Sequence, residues 1–190
     1  MSDSIKKKRF QTVVLPHLNS AFNLACWLTR NRQDAEDVVQ EAYLRAFRFF
    51  DGFHGEDGRA WLLTIVRNTF YNWYQGSQKQ RQETSFDEEL HQAAPGDVIG
   101  QMAADNDPEA LLMRKDSELQ LQQALQALPL EFREVMVMRE LEELSYKQIA
   151  AIVGIPIGTV MSRLGRGRKL LATILAPTSA APVAPSRQER

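Results

Sequence analysis

A long run without a basic residue divides this sequence in two. Between Gln82 and Met113 the chain has no lysine or arginine, but it has eight acidic residues. The run also carries glycine, proline and alanine, a composition typical of segments that do not pack into a core. We therefore predict a flexible acidic linker at residues 76–107, which divides the 190-residue chain into two short blocks.

The first block, residues 1–75, has the apolar spacing of helices. From Phe10 onward apolar residues recur every three or four positions, although Pro16 bends this first helix or marks its true start. A second helix is predicted with Asp34 as its N-cap. A third follows a glycine-containing break and runs from Arg59 to Gln75. The positions expected inside this domain are Phe10, Val14, Leu18, Ala21, Ala25, Leu28, Val38, Ala42, Ala46, Phe50, Leu62, Val66, Phe70 and Trp73.

The second block, residues 108–175, ends in a helix-turn-helix pattern. Helical spacing follows Pro108 and is interrupted by Pro129, after which another helix is predicted. The short helix SYKQIAAIV comes next, then Gly154, which can supply the positive φ of a tight turn, and a last helix after Pro156. The sequence thus predicts an all-α fold of two small helical domains, the second one a helix-turn-helix.

The last helix separates an apolar face from a basic one. Its inward positions are Ile157, Val160, Leu164 and Leu171. Its outward positions are Thr159, Ser162, Arg163, Arg166 and Lys169. Arginine and hydroxyl side chains suit phosphates and guanine edges, although a solvated basic face near a helix C-terminus has the same composition. The absence of acids from Gly154 to Leu175 and the turn geometry favour DNA contact.

Composition excludes several other classes of function. The formal net charge of −1 gives no overall attraction to nucleic acid, so DNA affinity has to come from local charge. Cys26 stands alone and the three histidines lie far apart, so we expect no metal site and no cofactor. No apolar run reaches the length of a membrane span, and we expect a cytoplasmic protein. The Ala- and Pro-rich tail at residues 176–190 is expected to be disordered.

Two blocks of sequence carry a family resemblance. LPLEFREVMVMRELEELSYKQIAAIVGIPIGTVMSRLGRGRKLL resembles the C-terminal DNA-binding region of bacterial RNA polymerase sigma factors of the sigma-70 family, especially the extracytoplasmic-function (ECF) type. Its run GIPIGTVMSRLGRGR is highly specific to them. DAEDVVQEAYLRAFRFFDGF followed by RAWLLTIVRNTFYNWYQ resembles the core domain of the same family. The resemblance covers residues 10–172 and implies a transcription initiation factor without catalysis of its own.

The resemblance also implies a role for each surface. Core RNA polymerase would be bound through Asp34, Asp37, Gln40, Glu41 and Arg45. The −10 promoter element would be recognised and melted through His54, Arg59, Trp61, Arg67, Asn68, Tyr71 and Asn72. Rings and polar groups together suit the capture of a single strand. The −35 element would be recognised through Thr159, Ser162, Arg163, Arg166, Arg168 and Lys169.

The expected partners are core RNA polymerase, promoter DNA and an anti-sigma factor, with no small-molecule substrate. Two weak DNA-binding domains on one chain gain little from each other until polymerase fixes their separation. We therefore expect the free protein to bind promoter DNA poorly.

Two alternatives explain less of the sequence. A response-regulator or repressor helix-turn-helix accounts for the second block but leaves the first unexplained. An enzyme using the acids of DAEDVVQE lacks a histidine or a second acidic motif on a neighbouring helix. Cys26 is either a redox sensor or a small buried residue, and lone cysteines are more often the latter.

Overall fold

A computed structural model describes residues 3–83 and 108–176 of the chain. The remainder of the predicted linker, residues 84–107, and the predicted tail beyond residue 176 lie outside these ranges. Within them the structure contains helices and no strand, which confirms the all-α prediction. The α-helices are α1 Asp3–Val13, α2 Leu18–Thr29, α3 Arg32–Phe49, α4 Gly58–Glu83, α5 Pro108–Ala127, α6 Leu130–Met136, α7 Tyr146–Val153 and α8 Ile157–Leu175. We call α1–α4 the N-terminal unit and α5–α8 the C-terminal unit.

Proline breaks the first predicted helix in two. A short 3₁₀ turn at Leu15–His17 separates α1 from α2, because Pro16 lacks the amide hydrogen that a continuous helix requires there. The break also corrects the predicted apolar face. Phe10 and Val14 are buried as expected, whereas Leu18, the first residue of α2, is exposed.

The N-cap of α3 lies three residues earlier than predicted. Asn31 has an extended backbone, and its side chain accepts hydrogen bonds from the amides of Gln33 (2.8 Å) and Asp34 (3.1 Å). Asp34 instead occupies the first turn, where its charge is favourable at the positive end of the helix dipole. Asparagine and aspartate are both strong caps, so composition alone did not decide between them.

Helix α4 is longer than the sequence indicated. It starts after Asp57, whose Oδ1 accepts a hydrogen bond from the Ala60 amide at 2.8 Å. It continues to Glu83, so residues 76–83 of the predicted linker are helical. Gly76 did not end the helix because a single glycine costs only about 1 kcal/mol and the following residues are mostly good helix formers.

The start of α4 packs tightly against the end of α1. A Cβ on Gly58 would lie 2.6 Å from the Val13 carbonyl oxygen. Only glycine therefore fits where the two helices meet.

The C-terminal unit contains the predicted helix-turn-helix. Helix α7 begins with a capping box in which Ser145 and Gln148 bond each other's backbone amides. Gly154 ends it with φ 74°, as expected for the turn, and α8 follows Pro156. Val160 and Leu164 are buried as predicted. Ile157, which was predicted to face inward, is instead 45% exposed at the first position of α8, and Leu171 is partly buried.

The two units pack directly against each other. Helix α2 contacts α6, and α4 contacts α7. Buried apolar residues from both units belong to one continuous cluster, to which α2 contributes Leu28 and the α5–α6 corner contributes Leu128. Of the four α4 residues expected inside, Leu62, Val66 and Phe70 are buried and Trp73 is partly buried. The described helices therefore form one closed body, an arrangement that the sequence did not predict.

Candidate nucleic-acid interface

One face of α8 carries basic side chains that are open to solvent. Ser162, Arg166 and Lys169 are exposed, one turn apart along the helix. Within the part of the chain that the structure describes, neither Arg166 nor Lys169 forms an ion pair. A Cβ on Gly165 would meet no atom within 4 Å, so this face is unobstructed. It has the charge and accessibility that a phosphate-binding surface needs.

The other predicted residues of α8 already have protein partners. Arg168 donates to Glu140 through Nε (3.2 Å) and Nη2 (2.7 Å). Arg163 is partly buried and pairs with Glu131 (3.4 Å) and Glu134 (3.3 Å). Thr159 is also partly buried. The structure therefore divides the six predicted positions into three exposed ones without an ion pair among the described residues, of which Ser162 donates its hydroxyl to the Thr159 carbonyl at 3.0 Å, and three that are paired or partly buried.

The predicted residues around α4 are divided in the same way. His54, Asn68 and Asn72 are exposed. Trp61 is partly buried, with its ring centroid 4.8 Å from that of Phe53. The remaining three, Arg59, Arg67 and Tyr71, contact the C-terminal unit.

Glu134 of α6 is the point where both units meet. It is 1% exposed, and its carboxylate accepts from Arg67 Nε (2.9 Å), Arg67 Nη2 (3.4 Å), the Tyr71 hydroxyl (3.1 Å) and Arg163 Nη1 (3.3 Å). The Arg67 guanidinium also lies 4.4 Å from the centroid of the Tyr71 ring. Burial, reinforced by the Glu134 charge, raises the pKa of Tyr71 to about 12. The hydroxyl thus keeps its proton and remains a donor.

A second buried glutamate makes a similar contact nearer the start of α4. Glu142 is 5% exposed and accepts from both Arg59 and the Asn23 side-chain amide of α2. Close to it, Gln148 Nε2 donates to Asp57 Oδ2 at 2.7 Å. Although burial opposes its ionisation, hydrogen bonds from the Ala60 amide and Gln148 lower the pKa of Asp57. Asp57 is therefore both the α4 cap and a contact between the units.

Arg133 adds a charged side chain that is held by backbone carbonyls beside these pairs. Its Nη1 donates to the carbonyls of Gln126 (2.8 Å) and Leu128 (3.2 Å), and its Nη2 to that of Leu28 in the N-terminal unit (3.5 Å). Burial, with Arg30 nearby, lowers its pKa to about 10, so the guanidinium stays charged at neutral pH.

Sequence reasoning missed Arg133, Glu134 and Glu142. The available signal was a charged pair inside the apolar run EFREVMVM, where full burial requires partners for both charges.

The predicted polymerase-binding residues border a groove between α3 and α4. A cavity of about 410 Å³ there is lined by Asp37, Val38, Glu41, Arg45, Thr69, Asn72 and Trp73. Arg45 Nε donates to Glu41 Oε1 at 2.6 Å. Gln40 is exposed and Asp34 is partly buried at the start of the same helix. Three of the five predicted residues therefore share one groove.

The described residues contain no group of three or more His, Cys, Asp or Glu side chains that could hold a metal ion. Cys26 is buried, and burial raises the pKa of its thiol. Among these residues no single helix is long and apolar enough to span a membrane; α7 and α8 reach that length and composition only together, across a 101° bend.

Both units match regions of one protein family. Residues 13–80 match the model of Sigma-70 region 2, and residues 118–171 match that of Sigma-70, region 4. The chain is 33% identical over 177 residues to the ECF RNA polymerase sigma factor SigE of Mycolicibacterium smegmatis, a match that covers 93% of this chain and 65% of SigE. It is 30% identical over 172 residues to the RNA polymerase sigma-H factor of Pseudomonas aeruginosa, covering 90% and 88% of the two chains. It is 34% identical over 145 residues to the ECF RNA polymerase sigma-E factor of Escherichia coli, covering 76% and 75%.

Two solved structures share the fold. The sigma factor RpoE from Bartonella quintana, crystallised with the anti-sigma factor NepR, superposes with a TM-score of 0.68 at 29% identity over 90% of this chain and 99% of RpoE. CnrH, solved with the cytosolic domain of CnrY, gives a TM-score of 0.59 at 22% identity over 91% of each chain, which shows a common fold. With both regions matched in order and relatives at 30% identity or more across most of its length, the chain belongs to the ECF group of the sigma-70 family of transcription initiation factors.

Proposed function

We propose that this chain brings core RNA polymerase to a specific set of promoters and helps to open them. Residues 1–75 would bind polymerase and the −10 element, residues 76–107 would be the linker, and residues 108–175 would bind the −35 element. The observation that carries this proposal is the free basic face of α8, which lies in the unit that matches region 4.

The −35 element is assigned first to Ser162, Arg166 and Lys169. These side chains project from one accessible face of the second helix of a helix-turn-helix, the geometry with which such helices enter a major groove. Arg163 and Arg168 remain in the proposed surface as residues that would exchange their glutamate partners for DNA. Thr159, which is partly buried, remains in it as a contact to the DNA backbone.

The −10 element is assigned to the exposed His54, Asn68 and Asn72, with Arg59, Trp61, Arg67 and Tyr71 joining them when the units separate. Polar groups next to aromatic rings can hold an unstacked base, since rings stack on it and amides bond its edges. Trp61 is partly buried because its ring packs on that of Phe53. It would therefore contact a base only through the part of the indole that remains exposed.

Core polymerase is assigned to the groove between α3 and α4 and to the adjacent surface of α3. Asp34, Asp37, Glu41 and Arg45 supply charges of both signs there, and Gln40 adds a neutral amide. Charge patterns of this kind select the partner and fix the register of helix packing.

We further propose control by an anti-sigma factor, since the neighbour RpoE was crystallised with one. In this role the chain would act in the cytoplasm, where polymerase and promoters are found. It has no catalytic reaction or cofactor of its own.

Reconstitution with sigma-free core RNA polymerase tests the proposal. We expect co-elution of the chain with core enzyme in gel filtration, and a defined run-off transcript from the DNA upstream of its own gene. Tight binding of the free chain to duplex DNA without co-elution would instead indicate a conventional repressor or activator.

A further inference from the structure

The exposed start of α8 is apolar, whereas its exposed middle is basic. From Ile157 to Ser162 the chain has no charged or amide side chain. Two large apolar side chains are nevertheless open to solvent there, since Ile157 is 45% exposed and Met161 is 55% exposed. The exposed basic residues Arg166 and Lys169 come later in the helix. The helix therefore presents two chemically different segments to a ligand.

Met161 projects from the exposed face because its neighbours on the helix surface are glycines. Gly158 lies three residues before it and Gly165 four residues after it, so the three positions share one row along α8. A Cβ at either glycine would meet no atom within 4 Å. The thioether of Met161 is therefore the one side chain in this row, and it is open to whatever approaches α8.

The hydroxyl groups beside Met161 have a limited capacity to read a base. Ser162 donates its hydroxyl hydrogen to the Thr159 carbonyl at 3.0 Å, which leaves its oxygen as an acceptor. Thr159 is partly buried. The exposed start of α8 therefore offers mainly apolar surface to DNA.

We propose that Met161, with Ile157 one turn before it, reads the C5-methyl group of a thymine in the −35 element. This inference rests on the proposed function, because it takes α8 to lie in the major groove. In helix-turn-helix proteins the N-terminal residues of the second helix contact base edges. Of the four bases, thymine presents a methyl group in the major groove, and a flexible thioether adapts well to an apolar contact.

The spacing along α8 places this thymine relative to the contact made by Arg166. Met161 and Arg166 are five residues apart, which is about 7.5 Å along the axis of an α-helix. Successive bases of one DNA strand are about 3.4 Å apart along the duplex axis. The thymine therefore lies within about two base pairs of the base or phosphate that Arg166 contacts.

The physical origin of the contact gives it a signature. The Met161 side chain and the thymine methyl group both lose contact with water when they meet, which is favourable for apolar surfaces. Contacts between basic side chains and phosphates weaken as salt rises, because they release counterions. Preference for the methyl group should therefore persist at salt concentrations that weaken binding as a whole.

The experiment removes the methyl group from the DNA and the thioether from the protein. Each thymine around position −35 of the promoter mapped by run-off transcription is replaced in turn, on either strand, by deoxyuridine, which keeps the base pair and lacks the methyl group. Fluorescence anisotropy measures binding of these duplexes by reconstituted holoenzyme at two salt concentrations. Met161→Ala is compared with Ile5→Ala, which shortens an apolar side chain of similar exposure (57%) in α1.

We expect one deoxyuridine position at which the wild-type holoenzyme binds about three- to fivefold more weakly, the effect of burying one methyl group less. The ratio of the affinities for thymine and deoxyuridine should be the same at both salt concentrations. The Met161→Ala holoenzyme should bind both DNAs equally, and the Ile5→Ala holoenzyme should keep the wild-type ratio.

Equal binding of thymine and deoxyuridine DNA by the wild type at every position would overturn the proposal. A preference that Met161→Ala retains would also overturn it, because another residue would then read the methyl group. Failure of the proposed function would look different, because the wild type would then give no transcript with core polymerase.

Discussion

The backbone of Gly154 sets the direction in which the basic helix leaves the turn. Its φ of 74° and ψ of 36° are left-handed, and its amide bonds the Ala150 carbonyl to close α7. A Cβ there would meet no atom within 4 Å. The requirement for glycine is therefore one of backbone conformation and not of space.

Replacing Gly154 with alanine is expected to destabilise the fold by about 1–2 kcal/mol, the cost of a left-handed conformation for an L-residue. Gly165→Ala is the control, because Gly165 lies inside α8 with an equally open environment. It should stabilise by up to about 1 kcal/mol through higher helix propensity. Urea unfolding of both variants measures the two values, and shifts of the same sign would contradict the argument.

Asp57 gives a prediction about pH. Because its hydrogen bonds lower its pKa in the folded protein, its ionised form contributes stability above its unfolded pKa of about 4. That contribution is lost as pH falls through the lower, folded pKa. Asp57→Ala should cost about 1 kcal/mol at pH 7 from loss of the cap, and the difference from the wild type should shrink in acid.

Asp57→Asn is the matched comparison, since asparagine also accepts the Ala60 amide but does not ionise. Its unfolding free energy should vary less with pH than that of the wild type below about pH 4. An identical acid profile for both proteins would contradict the assignment. Urea titrations at a series of pH values supply the data.

At the residue scale, the sequence predicted which side chains are exposed better than it predicted which side chains bond to one another. Helical periodicity placed Ser162 and Arg166 outside and Val160 and Leu164 inside, as the structure has them. It could not place Glu134, whose partner Arg67 is 67 residues away. Local spacing carries no information about a bond between residues that only the packing of the two units brings together.

At the scale of elements, α8 presents two arginines in different electrostatic states. Arg166 is exposed without a described ion-pair partner, whereas Arg168 is held by Glu140. A guanidinium that must first break an ion pair with a carboxylate gains less free energy when it binds a phosphate or a base. The two positions can therefore be compared on one helix.

Arg166→Ala should weaken recognition of the −35 element by about 1–3 kcal/mol, the range for a specific base contact. Arg168→Ala should cost less and mainly reduce the salt dependence. Binding of the reconstituted holoenzyme to promoter duplex at several salt concentrations measures both. Equal losses would show that the Glu140 pair does not restrain Arg168.

The ends of helices were predictable only where the local residues allow a single backbone conformation. Gly154 and Pro156 marked the turn correctly, since one favours positive φ and the other cannot continue a helix. Pro16 was compatible with either a bend in the first helix or a new helix start, and in the structure it breaks the helix in two. Gly76 suggested an end that did not occur, because its neighbours favour helix more than one glycine opposes it.

At the scale of the whole molecule, the shared core predicts cooperative unfolding. All three tryptophans, Trp27, Trp61 and Trp73, lie in the N-terminal unit, whereas far-UV circular dichroism reports the helices of both units. Wild-type urea curves from the two signals should coincide. In the double variant Glu134→Gln with Glu142→Gln the curves should separate, and wild-type curves that already differ would contradict a cooperative closed body.

The sequence predicted two helical units but not their association. Each unit has its own periodic apolar faces, which is why both could be recognised. The contact between them depends on buried polar residues such as Arg133 and Glu142, whose burial no periodic pattern indicates. Apart from Arg133 and Glu134, which lie inside an apolar run, the charged residues that join the units look, in sequence, like ordinary surface charges of amphipathic helices.

The sharing of Glu134 by Arg67 and Arg163 has a consequence for how this protein can diverge. By the proposed roles, each arginine contacts a promoter element, and each also bonds the buried carboxylate of Glu134. A substitution of either arginine that changed the preferred promoter base would also leave Glu134 with fewer partners inside the protein. Promoter preference and the packing of the two units therefore depend on the same two side chains.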